Sequence, residues 1–184
     1  MKNTFQNFFA LTLFLSVINF SFGQVNKPTT GPVFDTVGAI YSIDDLDFTP
    51  NPSQELKAIF DIANKQADAG KVNSIISSMH RYYNMHVRYG IPKEQIHLAL
   101  VLHGGAVKDA LNSTVYKEKF NVDNPNVSLI KSLSEMGVDV FLCGQSMTAK
   151  GYNKSDLLPE VKVGLSAMSV LTVYQMDNYA LIKF

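Results

Sequence analysis

The chain has 184 residues, 46% of them apolar, and its sixteen basic and sixteen acidic side chains cancel to zero net charge. This composition fits one globular domain and lies outside the disordered range. Scattered lysines and zero net charge argue against a nucleic-acid binder, whose domain is normally basic. Cysteine occurs once, at Cys143, which excludes an intramolecular disulfide and any multi-cysteine zinc or iron–sulfur site.

Residues 1–23 have the order of a secretory leader. Lys2 is followed by the apolar run Phe8–Ile18, then by Ser21 and Gly23, small residues suited to the −3 and −1 positions of a cleavage site. The run is too short and interrupted for a membrane span, which needs about 20 apolar residues. Cleavage before Gln24 leaves 161 residues with net charge −1. The expectation is an exported protein, periplasmic or secreted, with no membrane span once the leader is removed. Exported proteins usually pair their cysteines, so an odd one indicates an intermolecular bond or a free thiol.

The segment 24–54 reads as an extended arm and linker, because Pro28, Thr29, Thr30, Gly31 and Pro32 punctuate it. Ala39–Ile43 is a short strand or edge segment. Asp44, Asp45 and Asp47 form a solvated turn, since the twelve-residue calcium-loop pattern with its terminal Glu is missing. From residue 55 to 184 the pattern alternates. Leu56–Ile62 is a strand. Val72–Tyr89 is a helix with Val72, Ile75, Ile76, Met79 and Tyr83 on its apolar face. Ile96–His103 is a nearly continuous apolar strand, buried on both faces. Gly104-Gly105 ends it, and Ala106–Leu111 forms a helical turn. Asn124 and Pro125 suit the N-cap and first position of the next helix, and Gly137 its left-handed end. Val138–Leu142 and Val161–Leu165 are strands. Ser166 caps a helix through Met176, Asn178 ends it, and Tyr179–Phe184 is the last strand. Such alternation predicts an α/β fold with a mostly parallel sheet and helices on both faces.

Ligands of open parallel sheets bind beyond the carboxyl ends of the strands. Two such ends carry reactive side chains: His103-Gly104-Gly105 and Cys143-Gly144-Gln145-Ser146. A short helix starting at Gly144–Ser146 puts Cys143 at its positive end, where a thiol is acidified and its thiolate is the nucleophile. Cysteine is also among the most buried residue types, so an inert core thiol is the competing reading. Gly104 and Gly105 permit close approach of backbone to a ligand, yet the run is neither a Walker loop nor G-x-G-x-x-G. His86 falls on the apolar face of the long helix and His80 at its edge; six apart, they do not pair as metal ligands. H-E-x-x-H and G-x-S-x-G are both absent. No cofactor and no metal is expected.

Five stretches taken together resemble the DsrE/DsrF-like family, in particular its exported members. They are Leu98–Ala106 (LALVLHGGA), Asn124-Pro125-Asn126, Gly137–Val140, Cys143–Ser146 and Leu165–Met168. They run in order through residues 56–184. The resemblance implies a three-layer α/β/α sandwich around a mainly parallel sheet of about five strands. It also implies homo- or hetero-oligomers, and a persulfide carried on a cysteine after the third core strand, the place of Cys143. His103, Gly104, Gly144, Gln145 and Ser146 are the candidate neighbours of that thiol. With no second cysteine, sulfur taken from a donor would pass to an acceptor on another molecule. Two readings follow: a thiol-based sulfur carrier, or a non-catalytic oligomeric binding module in which Cys143 is structural.

Overall fold

A computed structural model describes residues 26–63 and 68–184. The expected leader, residues 1–23, lies outside them. Five strands form one parallel sheet: β1 (Leu56–Ile62), β2 (Ile96–Leu102), β3 (Asp139–Cys143), β4 (Val161–Gly164) and β5 (Ala180–Lys183), in the order β4-β3-β2-β1-β5. The helices are α1 (Ser74–Arg88), α2 (Ser113–Phe120), α3 (Val127–Glu135), α4 (Gly144–Ala149) and α5 (Ala167–Met176). Parallel neighbours cannot be joined by tight turns, so each crossover carries a helix.

The strands separate two cores. Phe60, Ile62, Leu100, Leu102, Val140 and Leu142 point to the face covered by α1 and α3, meeting Ile76, Met79, Tyr83, Ile130 and Leu133. Ile59, Ala99, Val101 and Cys143 point to the other face, where Ala167 and Val170 of α5 cover them. The spacing of three in α5 is one helical turn, so a single narrow stripe meets the sheet. This is the α/β/α sandwich.

Several elements differ in detail from the sequence expectation. Helix α1 starts at Ser74, because the Asn73 side chain accepts from the Ile75 N–H as its N-cap; Val72 therefore precedes the helix and is exposed. The N-cap of α3 is Asn126 rather than Asn124. Asn124 instead donates to the carbonyls of Asp109 and Leu111 and accepts from the Asn126 N–H, tying two loops together. Helix α2 was not expected; its weak amphipathic pattern hides it, and Asn112 caps it by accepting from Val115 N–H. His80 is fully buried rather than at an edge, with Ser132 Oγ 2.9 Å from Nε2, while His86 is only half-buried and stacks on Tyr82. The Ala39–Ile43 segment is not a strand: Ile40 alone bridges, to Thr29.

Residues 26–50 run across α1. Asn84, fully buried, accepts from the N–H groups of Val33 and Phe34 and donates to the carbonyls of Phe34, Val37 and Gly38. Arg88 donates to the carbonyls of Thr29, Thr30 and Gly31. Phe34 packs edge-on against His80 and Tyr83. Side chains of one helix thus satisfy the backbone of a segment that has almost no ladder of its own.

Candidate functional site

The carboxyl ends of the strands form a cleft of about 460 Å³, lined by residues from four strand ends and from α4 and α5. Cys143 ends β3 and is the N-cap of α4. Its Sγ accepts from the Ser146 N–H at 3.4 Å. Burial pushes the thiol up. The Ser146 hydroxyl and the N–H groups of Ser146, Ala167 and Gln145 outweigh it, so the thiol lies below its ordinary value. The entrance of α4 thus holds the sulfur directly, and the start of α5 lines the same cleft. The chemistry follows: a side chain only 5% exposed is nonetheless poised toward thiolate, the nucleophilic form.

Gly144 is required by packing rather than by its backbone angle. A Cβ there would stand 2.8 Å from the carbonyl oxygen of Gly164, which sits beside Cys143 in the β3–β4 register. Only a glycine lets α4 start this close to β4. Gly104 is different: its φ of +53 is in the left-handed region, where side chains are strained. That turn aims the Gly104 N–H at Ser146 Oγ, 3.3 Å away. Ser146 therefore joins the loop after β2 to the thiol. Gln145 is exposed and donates to the Leu165 carbonyl at 3.4 Å.

His103 follows β2 in an extended conformation, its N–H bonded to the Ile62 carbonyl. The β2–β3 register pairs Leu102 with Leu142, so the next position sets His103 beside Cys143. Neighbouring strands lie about 4.8 Å apart. All six residues expected at the site therefore stand at or next to this cleft, with His103, Cys143, Gln145 and Ser146 lining it. His80 and His86 are elsewhere, in the α1 layer.

Two lining residues escaped the sequence reading, Asp61 of β1 and Lys183 of β5. His103 Nε2 is 2.6 Å from Asp61 Oδ1, and Lys183 Nζ is 3.0 Å from Asp61 Oδ2. Burial pushes the Asp61 carboxyl up, but hydrogen bonds from Lys183 and His103 and their charges hold it below the ordinary carboxylate value. The available signal was an acid next to last in the strand LKAIFDI, whose last five residues are all buried. Among the described residues no group of three His, Cys, Asp or Glu side chains is placed to hold a metal ion.

Residues 57–184 match the family model described as the DsrE/DsrF-like family. No curated protein matches the chain. Among solved structures, the chain is similar to MTH1491 of Methanobacterium thermoautotrophicum, titled a protein of unknown function, with 19% identity and a TM-score of 0.53. It is similar also to the ychN protein of E. coli, with 16% identity and a TM-score of 0.52. Each alignment covers 70% of this chain and 99% of the other. These likenesses establish the fold.

Proposed function

The chain belongs to the DsrE/DsrF-like family, a family associated with sulfur relay, and on that premise we propose that it is a sulfur carrier that holds a persulfide on Cys143. The observation that carries this reading is a thiol at the N-cap of α4 that accepts from the Ser146 N–H and faces a cleft also lined by the start of α5. The thiolate attacks the sulfane sulfur of a donor such as thiosulfate. A Cys143–sulfur bond forms, the donor's S–S bond breaks, and sulfite leaves with the electron pair. The chain has no second cysteine, so the sulfur then passes to a thiol on a partner by the same exchange.

The leader-like order of residues 1–23 supports an exported location, and this carrier would act outside the cytoplasm. Exposed apolar side chains at the mouth of the cleft support assembly. Leu165 is 75% exposed and Met168 77%, and Val173 and Met176 continue the surface along α5. A second copy or a sulfur-accepting partner docked there would meet the cleft directly. The second reading, a binding module with a structural cysteine, is supported by the near-complete burial of Cys143.

Intact-mass spectrometry after exposure to thiosulfate or a low-molecular-weight persulfide separates the two. The carrier gains the mass of one sulfur atom, removable by a thiol and absent in Cys143→Ser. An unmodified wild type, with Cys143 alkylated only after unfolding, would leave the binding module.

A further inference from the structure

The parallel register lays four chemically active side chains along one edge of the sheet, on the face that α5 covers. Lys183 of β5 stands beside Asp61 of β1. His103 follows β2, and Cys143 ends β3. Because the strand order is β4-β3-β2-β1-β5, the row crosses four adjacent strands without a gap. These are the titratable groups lining the cleft among the described residues; those that α4 and α5 contribute beyond Cys143 do not titrate.

The contacts fix how the row can carry protons. Asp61 is buried, and both its oxygens are engaged, one by His103 and one by Lys183. An ionised carboxylate only accepts hydrogen bonds. His103 Nε2, 2.6 Å away, must therefore carry the hydrogen. In a neutral imidazole the other nitrogen is then an acceptor. Lys183, itself on the edge strand, holds the carboxylate in place from the side opposite His103.

We propose that Asp61 is a positioning residue for Cys143: by fixing the Nε2–H tautomer of His103, it leaves Nδ1 as the base that takes the thiol proton. The return half of the cycle rests on the sulfur-carrier reading. With a persulfide donor, the Cys143 thiol gives its proton to Nδ1 and the thiolate attacks the terminal sulfur. The donor's S–S bond breaks, and its thiolate leaves with the electron pair and takes the proton back from Nδ1. One thiol and one persulfide enter, one persulfide and one thiol leave, and no external oxidant or reductant is needed.

The test measures alkylation of Cys143 by iodoacetamide against pH in wild type, Asp61→Asn, His103→Gln and the double variant. An amide at position 61 can offer the ring a donor and so favour the other tautomer. Each single variant is expected to lose roughly tenfold in rate at neutral pH. That is less than the roughly 10²–10⁴ typical of general acid–base catalysis, because helix N–H groups already favour the thiolate. Both should remove the same ionisation from the pH profile, and the double variant should be no slower than His103→Gln. An Asp61→Asn profile that superimposes on wild type, or losses that multiply in the double variant, would overturn the proposal. Nitrogen NMR of the His103 ring in the unaltered protein tests it without any variant: an Nδ1–H tautomer at neutral pH also overturns it. Alkylation needs no sulfur donor. If coupling is found but no sulfur is gained, the positioning role stands and the carrier reading fails. If sulfur is gained without coupling, the reverse holds.

Discussion

Replacing Gly144 by alanine probes packing and chemistry together. The added Cβ would meet the Gly164 carbonyl oxygen at 2.8 Å, Val163 Cγ1 at 3.3 Å and the Leu165 carbonyl oxygen at 3.5 Å. Two of these three atoms are backbone and cannot rotate away. The Gly164 oxygen is also tied by the β3–β4 register to Cys143. The start of α4 and the end of β4 must therefore separate by several tenths of an ångström. Overpacking of this kind costs about 1–3 kcal/mol. Alanine's better helix propensity offsets at most about 1 kcal/mol. The net loss is about 1–2 kcal/mol, a fall in Tm of roughly 2–8 °C for a domain of this size. The same displacement draws the Ser146 N–H away from Sγ, so the ionisation seen in the alkylation profile should move to higher pH. Thermal melting and alkylation kinetics on one preparation check both. An unchanged Tm would refute the packing argument. A lowered Tm with an unchanged alkylation profile would refute the claim that the α4 entrance sets the thiol.

Asn84→Ala leaves four backbone groups of the arm without a partner, the N–H groups of Val33 and Phe34 and the carbonyls of Val37 and Gly38, while Gly31 N–H still serves the Phe34 carbonyl; at about 1–3 kcal/mol for each buried unsatisfied group, less what water recovers, a loss of about 2–4 kcal/mol is expected. Limited proteolysis should then cut within residues 26–50, and an uncut arm would count against Asn84 as its anchor. The Asp61 carboxyl is held below its ordinary value, so its stabilisation is complete above about pH 4 and fades as pH falls through the lower folded value. The stability difference between wild type and Asp61→Asn should shrink over that acid range in denaturant titrations; a difference independent of pH would contradict it. Cys143 is also lowered, so its contribution grows as pH rises through the folded value and is complete above about 8.5. Wild type should therefore gain on Cys143→Ser between neutral and alkaline pH, and parallel stability curves would argue for an ordinary thiol. Met168→Glu should reduce the mass found by light scattering if the α5 surface is the assembly interface; an unchanged oligomer would assign assembly to another face.

Much of the fold was legible because the strongest signals were long and local. The run Ile96–Leu102 has no polar residue except His97, and strands buried on both faces read this way. The α1 stripe of Ile75, Ile76, Met79 and Tyr83 follows helical spacing and is buried throughout. Ser166 accepts from the Ser169 N–H as the cap of α5, as its position suggested. The failures are also local in origin. Asn124, Pro125 and Asn126 offer two N-cap candidates in three residues, and tertiary demand decided between them. Asn124 was drawn to the carbonyls of the loop before α2, leaving Asn126 to begin the helix. The arm had no periodic pattern because its partners are side chains of α1, more than forty residues away.

The site divides along the same line. Cys143, Gly144, Gln145 and Ser146 are consecutive, so one strand end and one helix start sufficed to find them. His103 was reachable because a strand end is where an open parallel sheet binds its ligands. Asp61 and Lys183 required two facts that hydrophobic pattern does not contain, the strand order and the register. Strands buried on both faces lack the alternation that would mark which side chain faces which layer. The first and last strands among the described residues lie far apart in sequence, yet β5 pairs with β1, and β1 with β2. That arrangement brings a carboxylate and a lysine up to His103. A charge inside β1 looks like a defect when the strand is read alone. Beside β2 it is the group that decides which nitrogen of His103 holds the proton.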